Sequence, residues 1–160
     1  MNGTAFARPK HAQAAPVTAQ STMIQLLYIS SARRAFDKPA LMSLLDASRK
    51  NNEALGITGL LLYKDGSFLQ VLEGEPHAVQ TLYNRIERDP RHAHLMVMID
   101  EPVTGRTFPD WSLGFRDLND PTLRTKAGFS EVMNDARFNP FARDCPTGCL
   151  ELIDLFRRGR

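Results

Sequence analysis

From residue 24 onward the apolar positions form two patterns: short runs with no polar face, and stripes that recur every three or four residues. The run at 24–30 (IQLLYIS) predicts a strand with Ile24, Leu26, Tyr28 and Ser30 on one face and Leu27 and Ile29 on the other. Both faces are apolar, so both need cover. A basic connection at 31–36, with Arg33 and Arg34, leads into a helix. Asp37 is placed to cap it, Pro39 sits in its first turn, and Leu41, Leu44, Leu45 and Ser48 form its inner stripe. The helix is expected to end near 50–52, where Asn51 and Asn52 either cap it or present their amides to a ligand.

The stretch 56–74 (GITGLLLYKDGSFLQVLEG) is the centre of the pattern. Residues 57–63 make an apolar run of the kind needed by a strand covered on both sides. Lys64, Asp65 and Gly66 form the turn, because Asp-Gly favours a tight hairpin, and 67–72 return as the next strand. Gln70 stands between Leu69 and Val71. A carboxamide in a buried strand costs about 1–3 kcal/mol unless its donors and acceptor find partners. It is either bonded to neighbouring backbone or turned toward a polar ligand.

A second helix opens at Glu75-Pro76, carries the stripe Val79, Leu82, Tyr83 and Ile86, and closes through 88–92 (RDPRH). Arg91 and His92 either complement the negative end of that helix or bind an anion. Further strands are expected at 95–99 and at 111–115 (WSLGF), which holds the only tryptophan, with a connection at 102–110 containing Arg106 and Phe108. The order β-α-β-β-α-β plus one strand is ferredoxin-like. The fold class is α+β, a mixed sheet with two helices on one face. The other face, with Leu27, Ile29, Leu69 and Val71, requires C-terminal helices as cover. One opens at Asp120-Pro121, and one runs over 146–158 with Leu150, Ile153, Leu155 and Phe156. Residues 1–22 lack periodicity and read as a disordered leader, 23–118 as the domain, and 119–160 as a helical extension.

Composition narrows the function. The 160 residues suit one domain with an appendage. A net charge of +2 gives no field to draw nucleic acid or a membrane surface. Cys145 and Cys149 are too few for a four-ligand zinc site or a disulfide scaffold, and they read as reduced thiols in the cytoplasm. No apolar run approaches the ~20 residues that cross a bilayer. Gly56 and Gly59 lack the third glycine of a dinucleotide fingerprint, and His92 and His94 are not spaced as helical metal ligands. RNA-binding versions of this fold display aromatics on central strands, where only Tyr28 and Phe68 are available here. If their strands are neighbours, Tyr28 and Gln70 share the helix-covered face. A ligand between the two helices then meets a phenol, a carboxamide and the asparagine amides.

Tyr28, Asn52, Gln70 and Trp111 occur within LLYISSA, NNEALGITGLLLYKDGSFLQVLEG and RTFPDWSLGF, and with RDPRHAH these segments span 23 to about 118. In that order they resemble the BLUF family, blue-light sensors that use flavin adenine dinucleotide (FAD). The resemblance implies that Tyr28 is the photoactive electron donor, that Gln70 lies between it and flavin N5/O4, and that Asn52 binds the isoalloxazine edge. It places Ser48, Asn51, Arg91 and His92 along the flavin or its ribityl and phosphate portion, and makes Trp111 the photoactive-site tryptophan of the fifth strand. Leu113 stands where many members have methionine. The implied protein binds FAD non-covalently and is not an enzyme. It signals in the cytoplasm through its fifth strand and C-terminal helices, to a downstream protein effector or a homo-oligomer. Two other readings compete. A ferredoxin-like hydrolase of small phosphates would be colourless, and a dark-inert flavin-binding protein would be coloured without a light response.

Overall fold

The computed structural model describes residues 22–109, 113–118 and 148–158. Strand β1 (Met23–Ala32) leads to helix α1 (Lys38–Ala54), and the hairpin β2 (Thr58–Lys64) and β3 (Ser67–Gly74) leads to helix α2 (Pro76–Glu87). Strands β4 (His92–Val103) and β5 (Gly114–Asp117) and helix α3 (Cys149–Arg158) follow. The sheet has the order β4-β1-β3-β2-β5, antiparallel except for the parallel β2–β5 pair. This is the mixed, ferredoxin-like α+β arrangement expected from the element order.

Local chemistry sets the element ends. Asp37 caps α1 by accepting from the Ala40 N–H at 2.8 Å, and Pro39 lies in the first turn. Glu75 caps α2 through the N–H groups of His77 and Ala78. Asp65 (φ 49°) and Gly66 (φ 77°) both take the left-handed conformation demanded by a two-residue hairpin loop, which fixes Lys64 opposite Ser67. Gly59 is required by close approach, since a Cβ there would stand 1.9 Å from the Val71 carbonyl oxygen.

Three boundaries differ from the pattern. Helix α1 continues to Ala54, so Asn51 and Asn52 lie inside its last turn instead of capping it; Leu55 takes the cap. Strand β4 starts at His92 and ends at Val103, well beyond 95–99. It is an edge strand with Met96, Val97 and Met98 exposed, so burial imposes little apolar pattern on it. Strand β5 begins at Gly114, and Trp111 lies outside the described residues.

The two faces of the sheet bury different cores. On one face, Leu26, Tyr28 and Leu72 pack with Val79, Leu82 and Tyr83 of α2. Leu61, Tyr63, Phe68 and Leu113 pack with Leu41, Leu44 and Leu45 of α1. On the other face, Leu27, Leu60, Leu62, Leu69 and Val71 are covered by Cys149, Leu150 and Ile153 of α3 and by Phe108. The C-terminal helix therefore supplies the required cover, and Lys64 adds a bond to the Arg157 carbonyl at 3.3 Å. Leu155 departs from the expectation: it faces outward, 65% exposed. Cys149 is buried in this core, Cys145 lies outside the described residues, and so does the helix expected at Asp120-Pro121. Among the described residues no helix is long and apolar enough to cross a membrane.

Candidate functional site

Tyr28 and Gln70 are directly paired across β1 and β3, so strand alternation turns both side chains to the face covered by α1 and α2. They are almost wholly buried, at 1% and 5% exposure, and the Tyr28 hydroxyl donates to Gln70 Oε1. The Tyr28 ring meets Tyr83 edge-on, with centroids 5.4 Å apart. Burial is the main cause that raises the Tyr28 pKa, with Tyr83 and Asp89 adding to it. The phenol therefore keeps its proton and remains a donor.

Above this pair a cleft with about 650 Å³ of empty space, part of it open to solvent, runs between the helices. Helix α1 contributes Leu44, Ala47, Ser48, Asn51 and Asn52, an i, i+3, i+4, i+7, i+8 stripe. Helix α2 and its end contribute Leu82, Arg85, Ile86 and Asp89. Leu61 and the Tyr28–Gln70 pair lie beneath, and Arg91 and His92 complete the lining. Tyr28, Ser48, Asn51, Asn52, Gln70, Arg91 and His92, all named from the sequence, thus line one cleft. Asn52 is 1% exposed, and its backbone carbonyl accepts from Ile57 N–H at 2.9 Å, which ties the helix end to the residue before β2.

The charged groups are arranged in sequence. Asp89 Oδ2 and the Arg91 guanidinium form a 2.6 Å ion pair. The hydrogen bonds from Arg91 hold the Asp89 carboxyl below the usual range, and the same bonds raise Arg91. Arg91 thereby neutralises the one acidic side chain that lines the cleft among the described residues. His92 is buried against the Phe68 ring, with centroids 5.0 Å apart, and its Nδ1 lies 3.1 Å from Ser30 Oγ. Burial lowers its pKa, Arg91 lowers it further, and Asp89 opposes both. The folded protein thus resists the proton that the unfolded chain takes up near 6.5, so stability falls as pH drops through that value. The urea midpoint is expected to fall between about pH 7.5 and about pH 5.5, and to fall less in His92→Gln. Equal pH dependence in the two proteins would contradict this assignment.

Sequence reasoning missed Arg85 and Asp89. The signal was available, because Leu82, Arg85, Ile86 and Asp89 follow the helical period i, i+3, i+4, i+7. It also missed Glu73, a buried carboxylate on the opposite face.

The family model for BLUF, sensors of blue light using FAD, matches residues 23–114. The chain belongs to the BLUF family. The photoactivated adenylate cyclase subunit beta of Euglena longa is 38% identical over 97 residues, which is 60% of this chain but 11% of that protein. The chain thus spans about a tenth of that relative. BlrB, a BLUF protein solved in its dark state, is 37% identical with a TM-score of 0.59, covering 66% of this chain and 78% of that one. The BLUF structure of BlrP1, a Klebsiella pneumoniae protein, is 28% identical with a TM-score of 0.66, covering 87% and 93%.

The residues present fit the flavin of this BLUF domain. Leu44, Leu82 and Ile86 offer apolar surface to a planar ring, Asn52 and Gln70 offer amides to its polar edge, and Arg85 and Arg91 offer cations to phosphate.

Proposed function

We propose that this chain is a blue-light photoreceptor that binds FAD non-covalently in the cleft and switches through the Tyr28–Gln70 pair. The observation that carries this reading is the buried hydrogen bond between those two side chains on the floor of the cleft between α1 and α2. When bound, the flavin supplies blue-light absorption and accepts an electron and a proton.

The chain's own residues do the rest. Burial keeps the Tyr28 phenol protonated, so its proton does not leave ahead of the electron. Gln70 accepts from Tyr28 through its oxygen, which turns its N–H donors to the other side. Reversal or tautomerisation of that amide exchanges donor for acceptor at both ends. The network thus has two arrangements, which is what a switch requires. Asn52 and Asn51 hold the ring edge; Ser48, Arg91 and His92 hold the ribityl and phosphate portion; Trp111 completes the photoactive set. Leu113 packs with Leu44 and Leu61, which line the cleft, and it offers no thioether as an acceptor for the glutamine.

The chain has no catalytic role of its own in this reading. Strand β5 and helix α3 pass the light state to a downstream protein effector or a second copy in the cytoplasm. The test is the absorption spectrum in darkness and under blue light, with the released flavin identified by chromatography. FAD with a reversible red shift supports the proposal. A different flavin, or FAD without a shift, contradicts it. Asn52→Ala is expected to weaken FAD binding about tenfold, the scale of one net hydrogen bond in a desolvated site. A fluorescence titration giving unchanged affinity would remove Asn52 from the binding set.

A further inference from the structure

Glu73 belongs to the strand that carries Gln70, but its side chain points to the opposite face. Its exposure is 0%. Its Oε1 accepts from Gln25 Nε2 at 2.7 Å and from the Thr107 N–H at 2.9 Å, and its Oε2 accepts from the Phe108 N–H at 2.9 Å. Arg106 fastens the same segment from the other side. It donates to Thr58 Oγ1, to the Glu73 carbonyl and to the Gly56 carbonyl, each at 2.8 Å. Gln25 Nε2 also reaches Thr107 Oγ1 at 3.0 Å. The Gln25 oxygen is buried with no partner among the described residues, so that amide is turned to serve the carboxylate at the expense of its own acceptor.

The carboxylate accepts from three N–H donors, Gln25 Nε2, Thr107 N and Phe108 N. A carboxamide in its place sets an NH2 group against another N–H and loses at least one of these bonds. The geometry therefore selects glutamate, and what the glutamate holds is main chain. The held segment, 106–108, is the chain that leaves β4 and runs on through Trp111 to Leu113 and β5. Gln70 and Glu73 are three positions apart, about 10 Å along one strand. That strand is paired on both sides, by β1 and by β2, which makes it stiff.

We propose that Glu73 is a positioning residue for the light response. It ties segment 106–108 to the strand bearing Gln70, so that a displacement of β3 driven at Gln70 changes the path of the chain into β5. This rests on the photoreceptor reading above, and the experiment separates the two. Hydrogen exchange of the Thr107 and Phe108 amides is measured by NMR on the FAD-loaded full chain, in darkness and under blue light, alongside the absorption spectrum.

The wild type is expected to protect both amides in darkness and to exchange them at least about tenfold faster in light. Glu73→Gln is expected to keep the full flavin red shift, to lose the dark protection and to show a light-to-dark ratio near one. Arg106→Gln leaves the carboxylate in place but loosens the same segment, and is expected to reduce that ratio. A wild-type red shift with no change at Thr107 and Phe108 overturns the Glu73 proposal alone, whether or not the variants fold. So does Glu73→Gln with the wild-type ratio. A wild type without a red shift overturns the photoreceptor reading, and this proposal with it.

Discussion

Gln70→Leu is expected to give a folded, flavin-loaded protein whose absorption no longer shifts under blue light. Leucine fills nearly the same space on β3, between Leu69 and Val71, so the strand and the cores on both faces keep their packing. What disappears is the amide that accepts from the Tyr28 hydroxyl. Among the described residues no other side chain accepts from that hydroxyl, and leucine offers neither donor nor acceptor. The stranded phenol costs about 1–3 kcal/mol of stability. In the proposed mechanism the red shift comes from a new hydrogen bond to the flavin, and without the amide none is made. A light-minus-dark spectrum checks this, and a shift of wild-type size in Gln70→Leu would remove Gln70 from the mechanism.

Tyr28→Phe tests the other end of the pair. The ring stays packed edge-on against Tyr83 and among Leu26, Leu72 and Val79, so the fold is retained. The hydroxyl is lost, and with it the source of electron and proton in the proposed mechanism. The yield of the light-shifted state is expected to fall by at least about 100-fold, the lower end of what a positioned proton donor contributes. Raising the pH does not mimic the substitution, because burial raises the Tyr28 pKa and keeps the phenol protonated. Quantum-yield measurements on the two proteins decide the matter. An unchanged yield in Tyr28→Phe would assign the donor role elsewhere.

The heart of the site was legible because strand alternation and element order are strong constraints. The β-α-β-β-α-β order places β1 beside β3, and the two-residue turn at Asp65-Gly66 fixes the hairpin register. From there Tyr28 and Gln70 must share a face, and the apolar opposite face must find cover, which α3 provides. The parts that stayed hidden lack such constraints. Asn52 reads as either a cap or a ligand-facing amide, because nothing in Lys50-Asn51-Asn52 says that the helix continues for another half-turn. Its assignment to a ligand came from the family resemblance. His92 reads as a loop residue because the start of β4 is irregular, with His94 at φ 54° and a register shift between Ile29 and Ser31. Nothing local in the sequence singles out Glu73. Its burial arises from Thr107 and Phe108, more than thirty residues away, and no local pattern reports a contact of that range. Trp111 and the Asp120-Pro121 helix lie outside the described residues.

The most direct test of the account is an infrared light-minus-dark difference spectrum of FAD-loaded protein carrying isotope-labelled glutamine. The account predicts a label-sensitive amide band that changes under blue light, reverts in darkness together with the flavin absorption, and is absent in Gln70→Leu. A reversible flavin red shift with no label-sensitive change would contradict it, because the switch would then operate without rearrangement of the Gln70 amide.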